Sequence, residues 1–199
     1  MIGRGFMAAA AVAPALSAVP GHESPAVPER AAEPRAFVPP GWHAVALATG
    51  DLNADGHPDA AIVLAKSRKS DELASDDEIF PLVLVLSGAD GRLTRSLVTA
   101  KAVMCAAPGG AGCRSMQGPY FDGARVVDGA LEIRHLGGAG RSREIFTYTF
   151  RLEAGAWLLV KESRATFDAV RGDTRSRPVA KRKSRLSLRD FDIRKKSDF

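Results

Sequence analysis

Apolar and polar residues alternate most cleanly over residues 145–152, where Phe146, Tyr148, Phe150 and Leu152 fall on one side of an extended chain and Thr147, Thr149 and Arg151 on the other. That period of two is the mark of a strand with one face in a core. Residues 60–64 and 81–86 are instead apolar at successive positions, as expected of strands covered on both faces. Further strand signals occur at 42–49, 93–99 and 157–161. Val126-Val127 and 131–134 flank Asp128-Gly129, a dipeptide that readily takes the positive φ angles of a two-residue hairpin turn. Glu153-Ala154-Gly155 marks a second turn, and Gly88-Ala89-Asp90-Gly91 a third. No segment shows a helical period.

These elements predict an all-β fold: a small antiparallel β-sheet protein, sandwich-like or arranged as a partial propeller blade, with the aromatic face of the later strands packed on the earlier sheet. The 199 residues, 45% of them hydrophobic, suffice for one core. Residues 1–18, with Arg4 before an apolar run and small residues at Ala15, Ser17 and Ala18, read as a signal peptide. The run is too short to span a bilayer, and periplasmic or secreted localisation follows. Residues 19–40, rich in Pro, Ala and Glu, read as a disordered linker, leaving 41–199 as a single β domain. After Phe167 the pattern turns basic, predicting a mobile loop at 171–185. An apolar pattern returns at Leu186, Leu188, Phe191 and Ile193, with a change of parity that predicts a bulged edge strand.

Cys105 and Cys113 are the only cysteines. An even count in an exported chain reads as a disulfide, and their spacing is too wide for a Cys-x-x-Cys metal or redox pair.

Candidate chemistry centres on residues 51–59. Asp51, Asn53, Asp55 and Asp59 place oxygens at alternate positions, Gly56 permits a sharp turn, and His57 offers its backbone carbonyl, a donor set suited to calcium. An EF-hand would also need a Glu at position 62, where this chain has Ile62 inside a strand signal. Gly50-Asp51-Leu52-Asn53-Ala54-Asp55-Gly56-His57-Pro58-Asp59, followed by Ala60-Ala61-Ile62-Val63-Leu64, resembles the calcium loop and following strand of the FG-GAP and VCBS repeats of integrin-like propellers. Residues 83–92 are similar to that repeat's next strand and turn. The resemblance spans 42–97 and implies calcium coordination by Asp51, Asn53, Asp55, the His57 carbonyl and Asp59. The chain holds one copy and lacks the Phe-Gly and Gly-Ala-Pro signatures, so what is implied is a loop within a sheet, not a ring of blades.

Charge adds a second candidate. The net charge of +5 arises after residue 160: residues 161–199 hold 13 Lys and Arg against 6 Asp and Glu, leaving 15 against 17 elsewhere. Arg175, Arg177, Lys181, Arg182, Lys183 and Arg185 form a basic run suited to an envelope polyanion, whereas few aromatics are interleaved for stacking on nucleic acid. His135 shares a strand face with Leu131 and Ile133 and reads as a core or rim residue. No nucleophile elbow or interpretable carboxylate pair is present. The chain thus reads as an exported, non-enzymatic calcium-binding domain with a structural or binding role toward a protein or an envelope polyanion; a polyanion-binding protein using the basic tail is the alternative, and a hydrolase a more distant one.

Overall fold

A computed structural model describes residues 25–67, 79–104, 120–137, 141–168, 170–172, 174–178 and 186–196. Within them the chain forms β1 (Arg30–Ala31), β2 (Trp42–Gly50), β3 (Asp59–Lys66), β4 (Ile79–Ser87), β5 (Leu93–Met104), β6 (Tyr120–Val127), β7 (Ala130–Gly137), β8 (Ser142–Glu153), β9 (Ala156–Asp168) and β10 (Thr174–Pro178). Two antiparallel sheets result, ordered β1-β5-β4-β3-β2 and β10-β9-β8-β7-β6. The all-β expectation is therefore met, with one of the two sheets curled into a half-barrel.

The alternating and the continuous apolar runs have different fates. On β8, Phe146, Tyr148 and Phe150 are buried, and they pack into one core with Leu131 and Ile133 of β7 and Ala61, Val63, Leu82 and Leu84 of the first sheet. On β3 and β4 the remaining residues, Ala60, Ile62, Leu64, Val83 and Val85, are equally buried, but on the opposite face. A strand buried on both sides needs two covers, and the second cover is the segment before β2.

That segment corrects the linker expectation. Val27, Ala31 and Phe37 lie in the outer core of the first sheet, Phe37 with no exposed surface. β1 pairs with β5 through Arg30↔Thr94 and Ala31↔Leu93, the Arg95 backbone N–H donates to the Glu29 carbonyl at 2.8 Å, and the Arg95 guanidinium donates to the Val27 carbonyl. The described domain thus begins at Pro25 rather than near residue 41. Full burial of one phenylalanine stabilises by roughly 2–3 kcal/mol, and it requires no periodic pattern, only a few apolar residues laid across an existing sheet. Residues 1–24, with the signal-peptide expectation, and 105–119, with Cys105 and Cys113, lie outside the described residues.

Both later turns follow their chemistry. Asp128 and Gly129 have φ of 50° and 70°, closing Val127↔Ala130, and Ala154 and Gly155 have φ of 47° and 79°, closing Glu153↔Ala156.

The end of the chain departs from expectation twice. Residues 174–178 of the predicted mobile loop form β10, paired with β9 from Thr174↔Phe167 to Pro178↔Ser163. Residues 186–193 form no edge strand: only Leu158↔Ser187 bridges to β9, after which Asp190 and Phe191 donate backbone N–H groups to the Ser187 carbonyl at 3.0 and 2.8 Å, and a 3₁₀ turn follows at Ile193–Lys195. The parity change between Leu188 and Phe191 is thus the i, i+3 spacing of a tight turn. It points Leu188, Phe191 and Ile193, all fully buried, into the main core. There Phe191 meets Tyr148 and Phe150 edge-on, with ring centroids 4.9 and 5.2 Å apart.

Candidate metal-binding loop

Residues 51–58 connect β2 to β3. The loop is tied to the fold by one apolar side chain and one acid. Leu52 is buried in the main core. Asp59, the first residue of β3, is 1% exposed, and its two oxygens accept the Leu52 and Ser87 backbone N–H groups, each at 2.7 Å. It thereby joins the loop to the end of β4. A buried carboxylate is tolerated only with such partners.

Above this anchor the polar residues organise one another. Asp51 accepts the backbone N–H groups of Asn53, Asp55 and Gly56 at 3.3, 3.2 and 2.9 Å. The Asn53 side-chain oxygen shares the Asp55 N–H at 3.2 Å, and its amide nitrogen donates to Asp55 at 2.8 Å. Asp55 in turn accepts the His57 N–H at 2.8 Å. Ala54 and Gly56 take φ of 61° and 84°, the left-handed steps that curl the backbone round the Asp51 carboxylate. Gly56 needs no Cβ there, whereas Ala54 accepts some strain.

The electrostatics separate the acids. The Gly56 N–H holds the Asp51 carboxyl below its ordinary value, with the Asp55, Ala54 and Asn53 N–H groups adding to it. Burial pushes Asp59 up, against the pull of its two N–H partners, and the neighbouring charges of Asp55 and Asp51 push it further. The three acids therefore repel across the loop.

All five predicted residues lie in this one turn, but not as equals. Asp51, Asn53, Asp55 and His57 line the exposed or half-exposed curl, whereas Asp59 faces inward as a backbone clamp. Among the described residues no three His, Cys, Asp or Glu side chains form a metal-holding group by themselves. A calcium shell here would need the Asn53 amide oxygen, the His57 carbonyl and water beside Asp51 and Asp55, with Asp59 contributing only lone pairs its N–H partners leave free. The donor set is all hard oxygen and suits that ion.

The loop also abuts the second sheet, which the sequence did not reveal. A Cβ on Gly129, in the β6–β7 turn, would lie 3.8 Å from the Asp51 carbonyl, and one on Gly50 only 2.8 Å from Val126. Arg151 donates to the Asp128 carbonyl at 3.0 Å, bracing that turn. The clamp role of Asp59 was also missed, although an acid directly before five apolar residues is a signal for it.

Of the basic candidates, Arg175 is exposed on β10 and Arg177 lies on the same strand. Lys181, Arg182, Lys183 and Arg185 lie outside the described residues. His135 is fully buried. Its Nε2 accepts the Met104 N–H at 3.3 Å, Phe121 and Tyr148 flank it edge-on, and burial holds its pKa down at about 3. It is a core residue tying β7 to the end of β5. Among the described residues no helix is long and apolar enough to cross a membrane. No family model matches the chain, and no curated protein or solved structure does either.

Proposed function

We propose that the protein is an exported, non-enzymatic β domain whose 51–59 loop binds calcium, the ion fixing the end of the sandwich as a structural or binding surface in the bacterial envelope or outside the cell. The observation that carries this is the curl of Asp51, Asn53, Asp55 and the His57 carbonyl over a buried Asp59. Mutual repulsion of three acids costs the ionised loop stability, and a divalent cation removes it. The resemblance of residues 50–64 to the FG-GAP and VCBS loop supports the same ion, and the apolar run at residues 6–16 supports export into a calcium-rich compartment.

Asp51, Asn53, Asp55 and the His57 carbonyl would hold the ion, and Asp59 would relay its position to β4 through the Ser87 N–H. When bound, calcium supplies charge neutralisation and a fixed loop shape. Titration calorimetry on the full chain tests the reading: one calcium per chain, in the range of about 10⁻⁴–10⁻³ M, lost in Asp51→Asn/Asp55→Asn. Absence of saturable binding at millimolar calcium would refute it.

A further inference from the structure

The inner face of the second sheet changes character along β8 and β9. Cross-strand neighbours share a face, so the pairs Tyr148↔Glu162, Phe146↔Arg164, Glu144↔Thr166 and Ser142↔Asp168, together with Arg175↔Thr166 on β10, continue the surface that begins as the aromatic core. At the core's edge the charges cancel: Lys196 meets Glu162 at 2.6 Å and sits 5.2 Å from the Tyr148 ring centroid, while Arg164 meets both oxygens of Glu144 at 2.6 Å and covers Phe146.

Beyond these pairs the balance breaks. Among the described residues, Arg141, Ser142, Thr166, Asp168, Arg171 and Arg175 line an open depression of about 350 Å³, three guanidinium groups against one carboxylate. Asp168 is occupied in building it: its side chain accepts the Val170 and Arg171 N–H groups at 2.9 and 3.0 Å and holds Arg141 Nε at 3.0 Å. Arg171 and Arg175 are exposed, and neither has an acidic partner among the described residues. The Ser142 and Thr166 hydroxyls add neutral donors between them. A concave site with surplus guanidinium forks and hydroxyls has the donors that a tetrahedral oxyanion requires.

We propose that this depression binds a multiply charged phosphate- or sulfate-type oxyanion, with Arg171 and Arg175 as its principal ligands and Arg141, Ser142 and Thr166 completing the cradle. Its volume leaves room for a ligand that carries more than one such group. The site stands apart from the 51–59 loop: it lies where β8 begins, whereas the loop abuts the turn beside which β8 ends. The twelve residues of β8 run between the two, a path of at most roughly 35 Å at the rise of an extended chain.

Titration calorimetry of the full chain with sodium tripolyphosphate, in calcium-free buffer so that the acidic loop cannot bridge phosphate through an ion, tests the site. One ligand per chain is expected, with affinity at least about tenfold weaker in Arg171→Gln/Arg175→Gln and falling with salt. Arg35→Gln/Arg92→Gln, which removes the same charge from exposed positions elsewhere, should leave it nearly unchanged. In a parallel arm, phosphatidylcholine vesicles containing phosphatidic acid separate lipid-borne from soluble phosphate: loss of vesicle binding in Arg171→Gln/Arg175→Gln with weak tripolyphosphate binding assigns the ligand to a membrane, and the reverse assigns it to solution. Equal losses in the two double variants, undiminished affinity in Arg171→Gln/Arg175→Gln, or no binding of either probe would each overturn the proposal.

Discussion

The two ends of β8 present opposite chemistry built by opposite means. At one end the acidic loop is made by consecutive residues: its hydrogen bonds join groups no more than seven positions apart, except that Asp59 also reaches Ser87. At the other, the arginine depression draws Arg141, Thr166 and Arg175 from three parts of the chain that meet only because β8, β9 and β10 pair in register. A local site can be recognised from spacing, whereas a site assembled across strands becomes visible only with the register. The difference also predicts how each fails: the loop is coupled to the core through Leu52 and Asp59, and the depression sits on exposed side chains at a sheet edge.

The largest expected contrast is between Asp59→Ala and Arg171→Gln/Arg175→Gln. Asp59→Ala strands one buried and one half-buried backbone N–H group and should lower unfolding free energy by about 2–4 kcal/mol in urea denaturation. The arginine variant should stay within about 0.5 kcal/mol. A mild effect of Asp59→Ala would mean that the loop is not anchored as described.

Acid probes the core that lies between the two ends. Because burial lowers the His135 pKa from 6.5 to about 3, the unfolded chain holds the extra proton between those values. Stability should be fully present above pH 6.5 and fall by about 1.4 kcal/mol per pH unit as pH drops through that window. Denaturation at pH 7, 6 and 5 should show a fall of about half that from 7 to 6 and nearly all of it from 6 to 5, and His135→Phe should flatten it. An unchanged slope in His135→Phe would place the acid sensitivity elsewhere.

A smaller effect belongs to the seam where the loop meets the second sheet. Gly129→Ala forces a side chain onto a φ of 70° facing the Asp51 carbonyl, and should cost about 1–2 kcal/mol. If the seam also positions the loop, calcium affinity falls with it; stability lost without any change in affinity would show that the contact is passive.

Most of the strands were legible because their causes are local: the aromatic alternation on β8, the doubly apolar β3 and β4, and the Asp-Gly turn of β6–β7 each state their own geometry. The segment around Val27, Ala31 and Phe37 was not, since a cover laid across a sheet has no period to detect. The stretch from Leu186 to Ile193 is apolar in the right places, but its spacing alone does not separate the i, i+3 step of a tight turn from a bulged strand. At the candidate sites, spacing disclosed the oxygens of Asp51, Asn53 and Asp55 but could not tell a ligand from a clamp at Asp59. It marked Arg175 as basic without showing that Arg141 and Arg171 stand beside it.

Differential scanning calorimetry of the full chain in about 5 mM calcium and in chelator tests the central claim most directly. Binding to the native state alone should raise the melting temperature by about 3–8 °C, and Asp51→Asn/Asp55→Asn should abolish the rise. An identical melting temperature with calcium and with chelator would contradict the account.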